Sequence, residues 1–233
     1  MRTVQALPPV ETGTTDGLAW ARFAPRGEAL GGVVILHGAG STKESHYDFA
    51  RACAASELAA LAFDARGHGA SAGPLDGRAL DDVAAMVALL RERGGVARVA
   101  LRGSSMGGYL ALAAAAGARA DAVVAICPAS AGGLLRGLHA GRFDFEADAT
   151  SLAPVLEANE ALDAAAALGV PLLLLHAEGD ETVPVAQSRA LHAAAPASRL
   201  IAVPGGHHRS VQHDPELQGE AIRWLRKVLR ESA

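Results

Sequence analysis

The feature that most constrains this chain is a short turn between a strand pattern and a helix pattern. An apolar, β-rich run starts at Val96, an Ala/Leu-rich helical pattern follows, and Gly103-Ser104-Ser105-Met106-Gly107 lies between them. A strand that turns directly into a helix strains the turn residue, and its neighbours two positions away must be small. We therefore expect the Ser105 hydroxyl to point out of the fold at a helix N-terminus, where free N–H groups favour negative charge. The pattern predicts a nucleophilic serine, and an ordinary strand–helix turn is the alternative.

Apolar runs alternate with helical patterns along most of the chain. Predicted strands cover residues 32–36, 59–63, 122–127, 170–176 and 199–203, and predicted helices cover residues 47–56, 80–93, 185–195 and 215–230. Unalternating apolar strands are typical of a sheet that is buried on both faces. We therefore predict an α/β fold, a mainly parallel doubly wound sheet with helices on both faces, in one domain spanning residues 1–233.

Two segments depart from this alternation. At the N-terminus, strands at residues 3–7 and 18–23, joined by the Gly- and Thr-rich residues 11–17, are predicted to form an antiparallel hairpin. Residues 129–168 are Gly-rich, then acidic, then helical around residues 153–168. We interpret residues 129–168 as a short cap inserted above the sheet. A short cap predicts an open pocket, and an apolar edge on it would support a homodimer.

Chemically reactive residues follow the predicted strands. His37-Gly38, residues 64–71, Ser105, Asp180 and the pair His207-His208 each come directly after a strand. Ligands gather at the carboxyl ends of parallel strands. We therefore expect all of these residues at one edge of the sheet.

A serine hydroxyl needs a base, usually an imidazole that a carboxylate orients. His207 and His208 are the candidate bases, and Asp180 is the candidate acid, flanked by Glu178 and Glu181. The chain order Ser, Asp, His is typical of hydrolases whose nucleophile lies at the turn between a strand and a helix. These residues predict a catalytic triad and leave the choice of histidine and of acid open.

The chain resembles the α/β-hydrolase superfamily over nearly its whole length. Besides the turn around Ser105, His37-Gly38 is similar to the family's oxyanion-loop motif, and residues 64–71 are similar to its D-x-R-G-x-G-x-S loop. Gly179-Asp180 followed by Val183-Pro184 is similar to the usual surroundings of the family's acid. The family's P-G-x-x-H pattern places the base at His208, with His207 as the alternative. The resemblance implies the α/β-hydrolase fold and the triad Ser105, Asp180 and His208.

The same arrangement predicts an oxyanion hole made of backbone N–H groups. One donor is expected at Met106, directly after the nucleophile, and the other at Ala39, in the loop after His37 and Gly38. Such donors typically contribute about 3 kcal/mol each to transition-state stabilisation. We expect Gly103 and Gly107 to permit the turn, and His37 and Gly38 to shape the loop.

The predicted function is a serine hydrolase, of the carboxylesterase or thioesterase type, that cleaves an ester or thioester of small or medium size through an acyl-enzyme. The alternatives are an amide, peptide or C–C bond hydrolase with the same triad, or a non-catalytic ligand-binding protein on the same scaffold. Fold resemblance alone does not choose among them.

Composition restricts the partners and the compartment. The net charge is −4 and the 21 basic residues are scattered, so nothing resembles a nucleic-acid or membrane-surface patch. The N-terminus lacks an apolar signal sequence, and Cys53 and Cys127 are too few for a disulfide framework. We expect a cytoplasmic protein with a small-molecule substrate, two buried thiols, no cofactor and no metal.

Overall fold

The computed structural model describes residues 7–231, and its core is one eight-stranded sheet. The strands are β1 (Glu11–Thr15), β2 (Leu18–Phe23), β3 (Gly31–Leu36), β4 (Leu58–Phe63), β5 (Val99–Ser104), β6 (Ala122–Ile126), β7 (Leu172–Ala177) and β8 (Arg199–Val203). The helices are α1 (Tyr47–Ala55), α2 (Ala79–Gly94), α3 (Met106–Ala114), α4 (Ala131–His139), α5 (Ala149–Ala158), α6 (Ala161–Ala166), α7 (Ala186–Ala194), α8 (Ser210–His213) and α9 (Pro215–Glu231), and a 3₁₀ turn covers Lys43–His46.

The strand order in the sheet is β1-β2-β4-β3-β5-β6-β7-β8. The first two pairings are antiparallel, and every pairing from β4 through β8 is parallel. The chain leaves β3 towards β4 and returns on the other side as β5, so the loops that follow β3 and β5 diverge at a topological switch point. Such a point forms a crevice where ligands bind. The predicted fold class, a mainly parallel sheet with an N-terminal antiparallel hairpin, is confirmed.

The sheet separates two apolar cores. One core packs beneath α2, α3 and the cap segment, which we define as residues 129–168; the other packs beneath α1 and α9. The central strands β3, β4, β5, β6 and β7 are buried at every position, which explains why their apolar runs show no alternation. Among residues 7–231, no helix combines the length and apolar character needed to cross a membrane.

The N-terminal hairpin exists, but its first strand was placed wrongly. Residues 11–15, predicted as part of the connection, form β1, and Asp16 and Gly17 make the two-residue turn with φ values of 50° and 82°. Two successive positive φ values are typical of the tight hairpin turns that match strand twist. Gly13 looked like a turn residue but lies in β1 beneath the Trp20 ring, which leaves no room for a Cβ. Of the predicted strand at residues 3–7, residues 3–6 lie outside the described residues, and Leu7 is not in a strand.

The cap segment contains more helix than predicted. The Gly-rich part forms α4, whose first turn is capped by the Ser130 hydroxyl accepting from the Gly133 N–H. The region predicted as one helix is divided at Asn159 into α5 and α6. Between α4 and α5 the chain is tied to the main body, because the Leu75 N–H donates to the Glu146 carbonyl and the Asp148 N–H donates to the Leu75 carbonyl, each at 2.8 Å. The short helix α8 was not predicted.

Helix α3 approaches the end of β3 so closely that glycine is required. A Cβ at Gly107 would overlap the Leu36 carbonyl and lie 2.5 Å from the His37 carbonyl oxygen. A Cβ at Gly103 would overlap the Gly107 carbonyl. These neighbours are backbone atoms and cannot rotate away, so the two glycines set how closely the helix docks.

We predict that Gly107→Ala destabilises the fold by about 3 kcal/mol, because the added methyl group forces the helix away from β3. Gly27→Ala is the matched control, since a Cβ there meets nothing within 4 Å, and it should change stability by less than about 0.5 kcal/mol. Chemical denaturation of the purified variants measures both. Equal stability of the two variants would contradict the close approach described here.

Candidate active site

Ser105 occupies the strained turn between β5 and α3. Its φ of 54° and ψ of −117° lie in a region that non-glycine residues rarely adopt. Hydrogen bonds hold this conformation: the Ser105 N–H donates to the Ile126 carbonyl at 2.9 Å, and the Ser105 carbonyl accepts from the N–H groups of Tyr109 and Ala129. The side chain is half-buried, and its hydroxyl makes no hydrogen bond to any residue between 7 and 231. The Ser105 backbone is therefore fixed by hydrogen bonds, while its side-chain hydroxyl is partly exposed and can bond to another molecule.

Asp180 and His208 are brought together by the loops after β7 and β8. His208 Nδ1 lies 2.7 Å from Asp180 Oδ2. The other carboxylate oxygen, Oδ1, accepts from the N–H groups of Thr182 and Val183 at 2.9 and 2.8 Å. An ionised carboxylate can only accept, so Nδ1 carries the proton and His208 Nε2 is left as a lone-pair acceptor.

The Asp180 carboxylate remains charged although it is buried. Burial by itself would raise the pKa of this carboxyl, but the hydrogen bonds from Val183, His208 and Thr182 outweigh burial and hold the pKa below its usual value. The acid is therefore ionised at neutral pH and fixes the orientation of the His208 ring.

A second buried histidine supports Asp180 from beneath. His176 lies at the end of β7 and is fully buried; its Nε2–H donates to the Val183 carbonyl at 2.8 Å and lies 3.4 Å from Asp180 Oδ2. Its Nδ1 accepts from the Ser188 hydroxyl at 2.7 Å. Burial lowers the pKa of His176, so this ring is neutral at pH 7.

Cys127 completes a cluster around the same carboxylate. Cys127, His176 and Asp180 each offer a potential metal-ligand atom, and these atoms lie within 4.8 Å of one another. Burial raises the pKa of Cys127 to about 12, which keeps the thiol protonated, and both His176 nitrogens are already hydrogen-bonded. A metal ion would have to displace these bonds and the Cys127 proton, so the present arrangement is that of a support for Asp180.

The other residues considered for the base and the acid lie elsewhere. The His207 side chain is exposed, and its Nδ1 accepts from the Arg209 N–H at 3.3 Å. Glu178 pairs with Arg189 at the surface, and Glu181 is exposed. Of the candidates, the structure pairs His208 with Asp180 and brings neither glutamate nor His207 to that pair.

The loop after β3 runs beside Ser105. A Cβ at Gly38 would lie 3.3 Å from the Ser105 Cβ, so only a residue without a side chain lets the two segments pass this closely. The N–H groups of Ala39 and Met106 have no hydrogen-bond partner among the described residues. The structure thus leaves unbonded donors on both segments that flank Ser105.

Two buried histidines hold this loop in shape. His37 Nδ1–H donates to the Gly38 carbonyl at 2.8 Å, and its Nε2 accepts from the Ala65 N–H at 3.0 Å. His68 Nε2 accepts from the Gly40 N–H at 3.2 Å, and the His68 ring packs against the His37 ring at an interplanar angle of 56°. Each ring therefore connects the loop that follows β3 with the loop that follows β4.

Asp64 anchors the next part of the loop. Its buried carboxylate accepts from the Lys43 backbone N–H and from the Lys43 Nζ, both at 2.7 Å, and from the Ala70 N–H at 2.9 Å. The structure buries Lys43 in this ion pair. Its sequence position gives no sign of the pairing, because Asp64 is 21 residues away.

An apolar cavity starts at the residue after Ser105 and runs under the cap segment. Its walls are entirely apolar and consist of Leu75, Met106, Leu110, Leu134, Leu138, Phe143, Phe145, Leu152 and Leu156. The free volume is only about 10 Å³, so this cavity is closed in this conformation. The cap is joined to α3 where the Tyr109 hydroxyl donates to the Asn159 carbonyl at 2.9 Å. A larger pocket of about 520 Å³ lies away from Ser105, between the C-terminal end of α3 and α6.

Sequence reasoning missed His176 and the roles of Cys127 and Asp64. His176 lies near the end of the strand that precedes Asp180, four residues before it, so the sequence could have indicated that the two side chains are close. Cys127 offers no comparable signal, because its closeness to Asp180 depends on the pairing of β6 with β7.

Part of the chain matches the model of a hydrolase family. Residues 27–141 match the family described as "Serine aminopeptidase, S33". A comparison with curated proteins gave no match.

Solved structures share the fold over nearly the whole chain. The monoacylglycerol lipase of Paleococcus ferrophilus is 21% identical, with 93% of this chain and 99% of that one covered and a TM-score of 0.70. Est1E of Butyrivibrio proteoclasticus with bound ferulic acid is 20% identical, with 95% and 97% covered and a TM-score of 0.70. Mouse alpha/beta hydrolase domain-containing protein 10 is 19% identical, with 96% and 99% covered and a TM-score of 0.70. At these identities the likeness establishes a common fold.

We predict that acid weakens the fold through His37. Burial lowers the pKa of His37 from 6.5 to about 4, so below pH 6.5 the unfolded chain binds a proton that the folded chain does not. The contribution of His37 to stability is therefore complete above its unfolded pKa and falls by about 2 kcal/mol between about pH 7 and pH 5. Urea denaturation at the two pH values should show a smaller loss for His37→Gln than for the wild type. An unchanged pH dependence would show that His37 does not titrate in this way.

Proposed function

The chain belongs to the α/β-hydrolase superfamily, and we propose that it is a serine hydrolase that cleaves a carboxylic ester or thioester. In this proposal Ser105 is the nucleophile, His208 the base and Asp180 the acid that orients the base. The observation that carries the proposal is the 2.7 Å contact between His208 Nδ1 and Asp180 Oδ2, at the same sheet edge as the strained Ser105 turn. A strained, half-buried serine at the same sheet edge as an oriented imidazole is an arrangement that can activate a hydroxyl.

In the proposed first step, the Ser105 oxygen attacks the substrate carbonyl carbon while its proton moves to His208 Nε2. The imidazolium that forms is stabilised by the Asp180 carboxylate, whose pKa is held low and which therefore stays ionised. The Ser105 hydroxyl has no hydrogen-bond partner among residues 7–231, and catalytic hydrogen bonds commonly tighten only in the substrate complex.

The negative charge that develops on the carbonyl oxygen needs donors in place. We assign this role to the Ala39 and Met106 N–H groups, which flank Ser105 and have no partner in the described chain. Met106 also begins helix α3, so its N–H lies at the positive end of the helix dipole. His208 then donates its proton to the leaving alcohol or thiol, and an acyl-Ser105 ester remains.

The second half of the cycle uses the same groups in reverse. A water molecule gives its proton to His208 Nε2 and attacks the acyl-Ser105 carbonyl. The C–O bond to Ser105 breaks, Ser105 regains its proton from His208, and the carboxylic acid leaves. The atoms balance as one water consumed for each ester cleaved.

We place the acyl group of the substrate on the Met106 side of Ser105. The cavity that begins at Met106 presents only apolar side chains, and its free volume of about 10 Å³ holds no long chain without movement of the cap segment. The apolar lining supports an acyl group at this place, and the cap segment has to move before any acyl group fits.

Amide hydrolysis is the second candidate. It is favoured by the match of residues 27–141 to a family described as serine aminopeptidases. The solved structures reported above include a monoacylglycerol lipase and an Est1E with bound ferulic acid, which support the ester first. A series of aminoacyl p-nitroanilides beside the esters separates the two candidates.

We predict that p-nitrophenyl acyl esters are hydrolysed and that Ser105→Ala and His208→Ala each lower kcat by about 10⁴-fold or more. His207→Ala is the matched control and should retain the wild-type rate, because the His207 ring is exposed and bonded only to Arg209. Thermal unfolding checks that each variant is folded.

A fluorophosphonate probe tests the nucleophile independently of the substrate. The wild type should become labelled at Ser105, and Ser105→Ala should not. Absence of both labelling and turnover in folded wild type would overturn the hydrolase proposal and favour a ligand-binding role. Equal loss of activity in His207→Ala and His208→Ala would contradict the assignment of the base.

We predict that Leu134→Ala shifts the preferred acyl chain by about two carbons, because the substitution removes three carbon atoms from the wall of the closed cavity. Leu191→Ala, a fully buried leucine on α7 that does not line the cavity, is the control for lost stability. The measurement is kcat/KM across the ester series. An unchanged optimum in Leu134→Ala would place the acyl group elsewhere.

A further inference from the structure

Arg102 is buried in the centre of the sheet, directly below the proposed nucleophile. It lies on β5, three residues before Ser105, between Ile35 of β3 and Val124 of β6, and it is 0% exposed. Its side chain extends into the core beneath α1 and α9, where its neighbours are apolar. An ionisable side chain is rarely placed there without a specific partner.

The guanidinium contacts the two segments that continue from the proposed catalytic loops. Nη1 donates to His46 Nδ1 at 2.8 Å, and Nη2 donates to the Gln212 carbonyl at 3.2 Å. His46 ends the 3₁₀ turn that follows the loop of Ala39, and Gln212 lies in α8, four residues after His208. The Phe49 ring covers the guanidinium, with 4.5 Å from its centroid to the Arg102 Cζ.

These contacts do not neutralise the charge. Arg102 forms no ion pair with an Asp or Glu among the residues that the structure describes, and its Nε has no hydrogen-bond partner there. Burial lowers the pKa of Arg102 to about 10, so the side chain still carries its proton at pH 7. Burial and the Arg102 charge lower the pKa of His46 to about 2, so the ring stays neutral and accepts the hydrogen bond.

We propose that Arg102 is a positioning residue that holds the nucleophile strand, the oxyanion loop and the base loop in register. The proposal rests on the proposed function of Ser105, Ala39 and His208. Through one rigid side chain, β5 is connected to the segment after Ala39 and to the segment after His208. Planar guanidinium donors fix direction as well as distance, which a flexible ammonium does not.

Stability alone is a poor reason for such a residue. A buried charge costs desolvation energy, and replacing buried charged groups by apolar residues of similar volume is often neutral or stabilising. The Gln212 carbonyl lies at the C-terminal end of α8, where a nearby cation is favourable. Because this carbonyl also accepts from the Gln218 side chain at 2.9 Å, it keeps a hydrogen-bond donor without Arg102. The connection between loops is what an apolar replacement would remove.

The test compares Arg102→Met and Arg102→Lys with the wild type. Arg102→Met keeps a long apolar side chain and removes both donors, and Arg102→Lys keeps the charge without the planar geometry. Val124→Ala, which changes the neighbouring strand in the same core without touching either loop, is the control for lost stability. The readouts are kcat and KM for p-nitrophenyl esters, the rate of fluorophosphonate labelling at Ser105, and Tm.

We expect Arg102→Met to lower kcat and the labelling rate by about 10- to 100-fold with little change in KM, because small displacements of catalytic groups cost that much. Its Tm should stay at or above that of Val124→Ala. Arg102→Lys should recover part of the rate, and it serves as the readout if Arg102→Met does not fold.

Wild-type kcat and labelling in Arg102→Met, or in Arg102→Lys if only that variant folds, would overturn the inference. A loss of rate that Val124→Ala reproduces at the same Tm would also overturn it, because the effect would then follow stability alone. If the wild type itself is neither labelled nor active, the proposed function fails first and the role of Arg102 fails with it. If the wild type is labelled at Ser105 and the Arg102 variants react at the wild-type rate, only the role of Arg102 is overturned and the proposed function stands.

Discussion

The close docking of helix α3 against the end of β3 is the constraint on which the rest of the site depends. Gly103 and Gly107 let the backbones meet, and between them Ser105 takes a conformation with a positive φ. The same geometry starts a helix directly after Ser105, so the Met106 N–H is left without an acceptor in the part of the chain that the structure describes. The partly exposed hydroxyl, the unbonded donor and the helix terminus all lie at this one packing contact.

Neutral histidines organise the loops around this contact. His37 and His68 link the loops after β3 and β4, and His176 supports Asp180. Burial lowers the pKa of each of these rings, so each presents one donor and one acceptor at neutral pH. An imidazole is suited to this role because its two nitrogens can bond backbone groups of different loops at once. His208 differs from these rings in its partner, the ionised Asp180 carboxylate, and in its partial exposure.

The sequence was informative wherever a local pattern has one structural outcome. The buried parallel strands, the Ser105 turn and the order of Ser105, Asp180 and His208 all follow from runs or motifs of a few residues, and the structure places Asp180 and His208 in contact. The choice between His207 and His208 depended on a family pattern, because adjacent residues in a loop have no periodicity to separate them.

The failures came from tertiary contacts and from ambiguous composition. Gly13 resembled a turn residue, yet it lies in a strand because the Trp20 ring needs the space. The Gly-rich start of the cap segment forms α4 once Leu134 packs into the core, although glycine disfavours helix in isolation. The pairings of Lys43 with Asp64 and of Arg102 with His46 join residues 21 and 56 positions apart. No local pattern encodes contacts of that separation.

The backbone hydrogen bonds between Leu75 and residues 146–148 form a tether that affects how readily a substrate could enter the cavity beside Ser105. Two backbone hydrogen bonds, each 2.8 Å long, hold the cap segment over a cavity with almost no free volume. The helices on either side of that tether cannot separate widely while those bonds persist. In the proposed reaction, entry of an acyl group into this cavity would require the cap segment to open, and such motions occur on microsecond to millisecond timescales. The frequency of that opening, rather than the width of a permanent channel, would then set how often an acyl group reaches Ser105.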